Sequence, residues 1–404
     1  MYNVNDVLMG GTRIKTVFSH QDEKWHAKFI RPVKGIYSMT RVQEFEPGVD
    51  MTINLFLDKV RERFVSTERP CEMSDYINYF AWDVMSQVTF SKDLGILEAG
   101  HDYRKLLEIS SKSLDYFASI CQIPSLDLWL DKNPVCRVGP PSFGWAAQFS
   151  VEQLQKRVRE GQRAQYEHLD FLDHYLASKE KNPDVVDDNM IFMYLMANVA
   201  AGSDTTASTM CAAVYYVLRH RAVHERLRDE LHGANLTTPA QWKEVRNLPY
   251  LDAVMRESMR VHPGVGLLVE RIVPKGGLSL PDGRFVPEGT IVGMNPWVIN
   301  RNRAVFGDEP DAFIPERWLQ AKGESDEAFQ ARLSKMKSSD FTFGAGPRVC
   351  LGKHISQLES YKFVATVFHQ FDMELSNEDS DWKITNSWFV RQENMPAVVK
   401  EART

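Results

Sequence analysis

Cysteine is scarce in this chain of 404 residues, and no two cysteines form a Cys-x-x-Cys pair. An odd number of scattered cysteines does not suit a disulfide framework or a cysteine-based zinc site. Free thiols of this kind are typical of proteins kept in a reducing, cytosol-facing environment. The five positions are Cys71, Cys121, Cys136, Cys211 and Cys350.

The chain also lacks an excess of positive charge and any long uninterrupted apolar run. Its net charge of −6 excludes the overall basic field that nucleic-acid-binding proteins use. Residues 1–24 are too polar to form a signal sequence or a membrane anchor. The most apolar stretch, 190–218, is divided by Asp204 into two uncharged runs of 14 residues, so a buried helix is favoured over a membrane span. Without an internal repeat or a long Gly/Ser linker, residues 1–404 are predicted to form one domain.

Hydrophobic periodicity predicts a mainly α-helical chain with a small β-sheet region. Segment 266–298 combines short apolar, β-branched runs with Gly/Pro turns, which predicts short strands joined by tight turns. Elsewhere apolar residues recur at helical spacing. The predicted helices span 22–34, 42–64, 73–91, 102–121, 150–178, 188–219, 221–232, 249–261 and 352–369.

A glycine-rich loop at residues 343–352 reads Phe-Gly-Ala-Gly-Pro-Arg-Val-Cys-Leu-Gly. Its glycines and proline exclude regular structure and let the backbone pass close to a flat or bulky group. A helix is predicted to begin directly after the loop, so Cys350 lies where free N–H groups and the helix dipole favour a thiolate. Such a thiolate suits the fifth ligand of haem iron. The other interpretation is a surface loop with a buried structural cysteine.

The long helix 188–219 carries Ala-Gly-Ser-Asp-Thr-Thr at residues 201–206. Because burying an unpaired carboxylate is costly, Asp204 must be paired, protonated or turned toward a polar cavity. Gly202 removes a side chain at a place where a flat cofactor or bound oxygen could approach. The alternative is a local hydrogen-bond cluster of Asp204 with Thr205 and Thr206.

Glu257 and Arg260 lie on the predicted helix 249–261, three residues apart. By periodicity alone they lie opposite the apolar stripe of this helix and form a solvent-exposed pair worth about 0.2–0.5 kcal/mol. A later segment, 313–318, reads Phe-Ile-Pro-Glu-Arg-Trp.

These three motifs, in this order, resemble those of the cytochrome P-450 haem-thiolate monooxygenases. The loop matches the pattern Phe-x-x-Gly-x-Arg-x-Cys-x-Gly at Phe343, Gly346, Arg348, Cys350 and Gly352. The resemblance covers roughly residues 20–400. In the runs 293–301 and 350–356 it is nearest to fungal secondary-metabolite enzymes of the pisatin demethylase and benzoate hydroxylase type.

The resemblance implies a thiolate-ligated haem b and a mainly helical fold with a small sheet. It implies that Cys350 is the axial ligand and that Asp204 and Thr205 deliver protons to iron-bound oxygen. Glu257 and Arg260, locked to Arg317, become a structural network that braces the cysteine loop. The other predicted cofactor contacts are Arg348, Arg271, His26, Phe343 and Gly202, and the predicted substrate pocket consists of Met196, Ala200, Val265, Leu267, Trp388 and Phe389.

The same resemblance implies O2 and a lipophilic small molecule as substrates, and an NADPH-cytochrome P-450 reductase as electron donor. The reductase is predicted to dock on a basic surface, and no nucleic acid is expected to bind. Full-length members of the family are expected on the endoplasmic reticulum membrane, facing the cytosol. The predicted docking surface consists of Lys24, Lys28, Arg31, Lys34 and Lys353.

The chain starts just before the early basic helix, so the resemblance implies a family fold without its usual N-terminal anchor and first strands. The strand near 290–295 is then expected to present an open edge. Two functions from different classes remain: a monooxygenase, or a truncated haem-binding protein without oxygenase activity. A haem-thiolate isomerase is a third, although such enzymes need neither a proton relay nor a reductase.

Overall fold

The computed structural model describes residues 1–9, 12–141, 143–160, 169–377 and 381–402. Most of these residues are helical, as predicted, and the strands are short. In chain order the α-helices are α1 Glu23–Lys34, α2 Met39–Val42, α3 Glu46–Val60, α4 Met73–Phe90, α5 Ile96–Ala99, α6 Leu106–Ile120, α7 Gly144–Glu160, α8 Phe171–Lys181, α9 Asp188–Arg219, α10 Arg221–Gly233, α11 Trp242–Val245, α12 Pro249–Val261, α13 Pro296–Ile299, α14 Arg303–Phe306, α15 Asp326–Ser339 and α16 Lys353–Gln370. The strands are β1 Val7–Met9, β2 Thr12–Ile14, β3 Cys71–Glu72, β4 Val269–Ile272, β5 Leu278–Ser279, β6 Phe285–Val286, β7 Ile291–Met294, β8 Phe371–Leu375, β9 Lys383–Ser387, β10 Phe389–Glu393 and β11 Pro396–Glu401.

Helix α9 runs through the middle of the protein and begins and ends where the sequence predicts. The side chain of Asp187 caps its first turn by accepting a hydrogen bond of 2.8 Å from the backbone N–H of Met190. Helices α4, α12 and α16 pack against it, so most of its residues are buried. A helix covered on several sides gives fixed positions to the few polar residues in its centre.

The strands form small antiparallel sheets, and two of them meet near α9. β9 and β10 form a hairpin with Ser387 opposite Phe389, and β4 pairs with β7. Val265 makes an isolated bridge to Phe389, which holds the segment before β4 against the hairpin tip. Gly266 is needed there, because a Cβ atom would lie 2.3 Å from the side-chain oxygen of Asn386.

Three predicted helices have different limits. The predicted helix 150–178 is wrong as one element, because Asp170 caps the separate helix α8 and also pairs with Arg157 at 2.8 Å. Helix α6 begins at Leu106, since Lys105 has a left-handed backbone with φ of 57°. The predicted 42–64 helix divides into a short 3-10 turn, α3 and a π turn at its end.

The β region is more extensive than predicted. Segment 266–298 holds the four strands β4 to β7, but its last residues form the short helix α13. The C-terminal strands β8 to β11 were not predicted. Within the described ranges β7 pairs only with β4, and its residues Ile291 and Met294 are exposed. Among the residues that the structure describes, no helix has both the length and the apolar character needed to cross a bilayer.

Candidate active site

The glycine-rich loop before α16 folds back on itself and presents Cys350 at its end. The backbone N–H of Cys350 donates a hydrogen bond of 2.9 Å to the carbonyl oxygen of Phe343, which closes the loop. Gly344 and Gly346 have φ values of 68° and 70°, a left-handed conformation that favours glycine. Helix α16 starts at Lys353, so the cysteine lies just before a helix N-terminus, as the sequence predicts.

The thiol of Cys350 borders open space although protein surrounds it. Its side chain is accessible, yet burial raises the pKa of Cys350 above its usual value. The backbone N–H groups of Gly352 and Lys353 and the Lys353 ammonium act in the opposite direction on this pKa. The N–H groups at the start of the helix therefore favour a thiolate, as the sequence predicts, and burial of the thiol opposes them.

Glu257 and Arg260 are not on a solvent-exposed face, so that interpretation of the periodicity is wrong. Both side chains are 0% exposed, because the segment around Arg317 covers this face of α12. The Glu257 carboxylate accepts hydrogen bonds from Arg260, from Arg317 Nε at 2.8 Å and from Trp318 Nε1 at 2.8 Å. The backbone N–H of Ile314 donates a fifth hydrogen bond.

This buried network reaches the cysteine loop through Asn300. Arg260 Nη1 donates to the carbonyl oxygen of Asn300 at 2.9 Å, and the Asn300 side chain accepts a hydrogen bond of 3.0 Å from the backbone N–H of Phe341. The Thr342 hydroxyl donates to the carbonyl oxygen of Met259 at 3.3 Å. The start of the loop is thus tied to α12 at two points. Sequence reasoning missed Asn300, since nothing local distinguishes it from a turn residue.

The central turn of α9 differs from the prediction at Gly202. A Cβ atom there would lie 2.7 Å from Met85 Cε on α4, so the missing side chain allows two helices to pack closely. The prediction that this glycine makes room for a cofactor is therefore not supported. Its neighbour Ala201 is exposed, although Val199 and Ser203 are buried, so this side of α9 borders open space.

Asp204 and Thr205 face different partners. Trp82 Nε1 on α4 donates a hydrogen bond of 2.9 Å to Asp204 Oδ1, and Ser110 Oγ on α6 binds Oδ2. The Thr205 hydroxyl donates to the Ala201 carbonyl oxygen at 2.7 Å. Among the described residues no hydrogen bond joins Asp204 to Thr205. Burial raises the pKa of Asp204, while the hydrogen bonds from Ser110 and Trp82 lower it.

Two arginines predicted to bind a cofactor lie in one region, beside the N-terminal segment. Arg271 Nη1 donates to the Tyr2 hydroxyl at 3.0 Å. Arg348 pairs with Glu23 at 3.0 Å and donates to the carbonyl oxygen of His20 at 2.6 Å. Burial raises the pKa of Tyr2, and the positive charges of Arg271 and Arg348 act in the opposite direction.

His26 is half-buried on α1. Burial lowers its pKa, and the positive charge of Arg348 lowers it further. The imidazole is therefore neutral near pH 7 and can donate one hydrogen bond, but it is not a cation. Lys28 and Arg31, on the same helix, are exposed.

Four of the six predicted pocket residues come together. Val265, Leu267, Trp388 and Phe389 pack in one apolar cluster with Phe117 of α6. The Phe117 and Trp388 rings are 5.4 Å apart, with their planes nearly perpendicular. Trp388 has a φ of 77° at the hairpin tip, a conformation that costs energy in a bulky residue and is frequent at functional sites.

The other two predicted pocket residues do not belong to that cluster. Met196 packs against the main core, with its sulfur 3.6 Å from Ser150 Oγ, and Ala200 is half-buried one turn later on α9. Sequence reasoning missed Phe117, although apolar residues recur at helical spacing in 106–120.

The predicted basic surface is exposed on α1. Lys353, by contrast, is half-buried, with its ammonium 5.6 Å from the centre of the Phe343 ring. The four exposed residues are Lys24, Lys28, Arg31 and Lys34.

A family model for cytochrome P450 matches residues 5–399. This chain belongs to the cytochrome P450 family. Cytochrome P450 monooxygenase cfoH of Aspergillus candidus is 40% identical over 403 residues, which are 99% of this chain and 75% of that relative. Cytochrome P450 monooxygenase cicH of Emericella nidulans is 36% identical, over 94% of this chain and 76% of the relative.

A crystal structure of the cytochrome P450 CYP102L1 is similar with a TM-score of 0.77, over 96% of this chain and 81% of that one. At 18% identity this likeness shows the fold. The predicted family, its similarity to fungal monooxygenases and the mainly helical fold are therefore confirmed. The chain is a cytochrome P450 monooxygenase, and its family and fold imply a thiolate-ligated haem.

Proposed function

We propose that this cytochrome P450 inserts one oxygen atom from O2 into a lipophilic small molecule of fungal secondary metabolism, with electrons from an NADPH-dependent reductase. The accessible thiol of Cys350 in its closed loop carries this proposal. Relatives whose names describe them as monooxygenases come from fungi, which supports the reaction class. We further propose that residues 1–404 form one domain.

The residues present fit a haem. Cys350 and Ala201 are both exposed, and Arg271 and Arg348 beside the N-terminal segment offer two cations for the two propionate groups. Cys350 would ligate the iron, Arg271 and Arg348 would bind the propionates, and neutral His26 would donate one hydrogen bond. When bound, the haem supplies the dioxygen and one-electron chemistry that side chains lack.

The chain's own groups then handle substrate and protons. The cluster of Val265, Leu267, Trp388 and Phe389 offers an apolar wall that excludes water and orients a lipophilic molecule. Asp204 is half-buried, and desolvation raises its pKa, so it holds a proton more readily than an ordinary carboxyl. Thr205 lies one helical turn after Ala201, on the same side of α9, and carries a hydroxyl group. We propose that these two groups pass protons toward the reacting oxygen.

The electron donor is proposed to dock on the basic surface of α1. Its four cations are exposed in a protein of net charge −6, so an acidic flavoprotein reductase would be steered to this local patch. Such a donor requires that the enzyme face the cytosol. An endoplasmic reticulum location, expected for the family, stays part of this proposal.

Carbon monoxide binding tests the proposed iron ligand. Reduced protein with carbon monoxide should show the strongly red-shifted band of a thiolate-ligated haem, and Cys350→Ala should abolish it. Cys136→Ala is the matched control, because Cys136 is also a free and accessible thiol. Persistence of the band in Cys350→Ala would exclude this ligand.

A haem-binding protein without oxygenase activity is the second candidate. It is favoured by one observation, the lack of a hydrogen bond between Asp204 and Thr205 in the described residues. Product formed from an apolar substrate with reductase and NADPH would exclude this candidate, whereas NADPH oxidation that yields only peroxide would favour it.

A further inference from the structure

We propose that Ser110 is a positioning residue that, with Trp82, holds the Asp204 carboxyl group turned away from Thr205, and that movement of α6 releases it when a substrate fills the pocket. This inference rests on the proposed function, because it names how substrate binding would prepare the proton donor.

Both oxygen atoms of the Asp204 carboxyl group are held by residues outside α9. Oδ1 accepts from Trp82 Nε1 on α4 at 2.9 Å, and Oδ2 is bound to Ser110 Oγ on α6. Thr205, the adjacent residue, uses its hydroxyl on its own helix, at Ala201. The acid and the alcohol therefore lie side by side in sequence while their functional groups have separate partners.

The two holding contacts differ in how firmly their helices are fixed. Helix α4 packs so closely on α9 that Met85 fills the space where a side chain at Gly202 would lie. Trp82 is itself fully buried on this helix. Trp82 is therefore held by the close packing of α4 on α9, and Ser110 is the contact expected to change.

Helix α6 also forms a wall of the apolar pocket. Ser110, Leu114 and Phe117 lie at positions i, i+4 and i+7, which is one face of a helix. Leu114 and Phe117 pack in the cluster around Trp388. A molecule that enters this cluster must displace α6 or the hairpin tip, and a displacement of α6 by a fraction of an ångström acts directly on the Ser110 contact.

The hairpin tip is tied to the same helix. Asp115 of α6 binds Ser387 Oγ and pairs with Arg391 Nη2 at 2.7 Å. Arg391 also exerts a charge effect on the pKa of Asp204. Hence α6 and the hairpin are linked directly through Asp115, and the charge of Arg391 on this hairpin acts on the Asp204 carboxyl group.

Infrared difference spectroscopy of the oxidised holoprotein tests the positioning role without turnover. Subtracting the spectrum of Asp204→Asn isolates the Asp204 carboxyl band. Ser110→Ala and Trp82→Phe should each shift this band, because each removes one hydrogen bond, and Ser110→Thr should restore the wild-type position. Ser113→Ala is the matched control, since Ser113 lies on the same helix but donates only to the Ile109 carbonyl oxygen at 2.8 Å. A band that Ser110→Ala leaves unshifted would overturn the proposal.

A second measurement tests the link to the pocket, with naphthalene as the apolar probe and its binding followed by equilibrium dialysis. Bound naphthalene should move the wild-type Asp204 band toward its position in Ser110→Ala and should cause no further shift in that variant. An unmoved wild-type band at full occupancy would refute release through α6. These results are independent of the carbon monoxide test, so failure of the positioning role and failure of the proposed iron ligand can be told apart.

Discussion

Replacing Glu257 by glutamine removes one negative charge from a site without access to water. We expect Glu257→Gln to lower the free energy of unfolding by about 3–5 kcal/mol, the usual cost of breaking a buried ion pair. Glu257 and Arg260 are both 0% exposed and Arg317 is 11% exposed, so water cannot replace the lost charge.

The magnitude follows from the donors around the carboxylate. At Oε2 these are Arg260 Nε and Trp318 Nε1, both at 2.8 Å. The side-chain amide nitrogen of glutamine cannot accept a hydrogen bond. In the position of Oε2 it would face these two donors, and in the position of Oε1 it would face three. Each hydrogen bond lost at a charged group costs about 1.5–3 kcal/mol, and two such losses reach the expected range.

Urea unfolding of the holoprotein, followed by far-ultraviolet circular dichroism, measures this change. The matched control is Glu225→Gln, whose partner Arg221 and own side chain are 91% and 53% exposed. A surface pair of this kind contributes about 0.2–1 kcal/mol. If Glu257→Gln loses no more stability than the control, the buried network does not brace the fold as argued.

Three further changes should have measurable effects. Thr205→Ala should keep its haem but divert electrons from product to peroxide several-fold. An unchanged ratio of product formed to NADPH consumed would mean that the Thr205 hydroxyl serves only its hydrogen bond with Ala201. Lys28→Glu should slow reduction by the reductase about tenfold at low salt and less at high salt, as stopped-flow measurements can show, whereas the exposed Lys322→Glu should not. Burial lowers the pKa of His262 to about 3, so below about pH 6.5 the unfolded chain binds more protons than the folded protein. The free energy of unfolding should therefore fall by about 2 kcal/mol between about pH 6.5 and pH 5, and this slope should flatten in His262→Gln.

Features fixed by neighbouring residues could be predicted from the sequence. The limits of α9 follow from its capping aspartate and its apolar composition, and the shape of the cysteine loop follows from Gly344 and Gly346. The division between α7 and α8 also has a local signal, the capping box formed by Asp170 and Asp173, but the helical periodicity of the flanking residues concealed it.

Contacts between distant segments could not be predicted. Trp82 and Ser110 are 122 and 94 residues away from Asp204, and only the packing of three helices brings them to its carboxyl group. The burial of Glu257 and Arg260 has the same origin, since the covering segment begins about fifty residues later. The periodicity of α12 describes this helix alone and carries no information about what covers it.

The contact of Gly202 with Met85 limits the residues that position 202 can hold without a shift of the Met85 side chain. Any larger residue at 202 would have to displace the Met85 side chain from its place between α4 and α9. Adaptation to a new substrate is therefore expected at the hairpin tip, where Trp388 and Phe389 can be exchanged without altering the spacing of these helices. Directed evolution of this enzyme should accumulate substitutions at the tip while position 202 stays glycine.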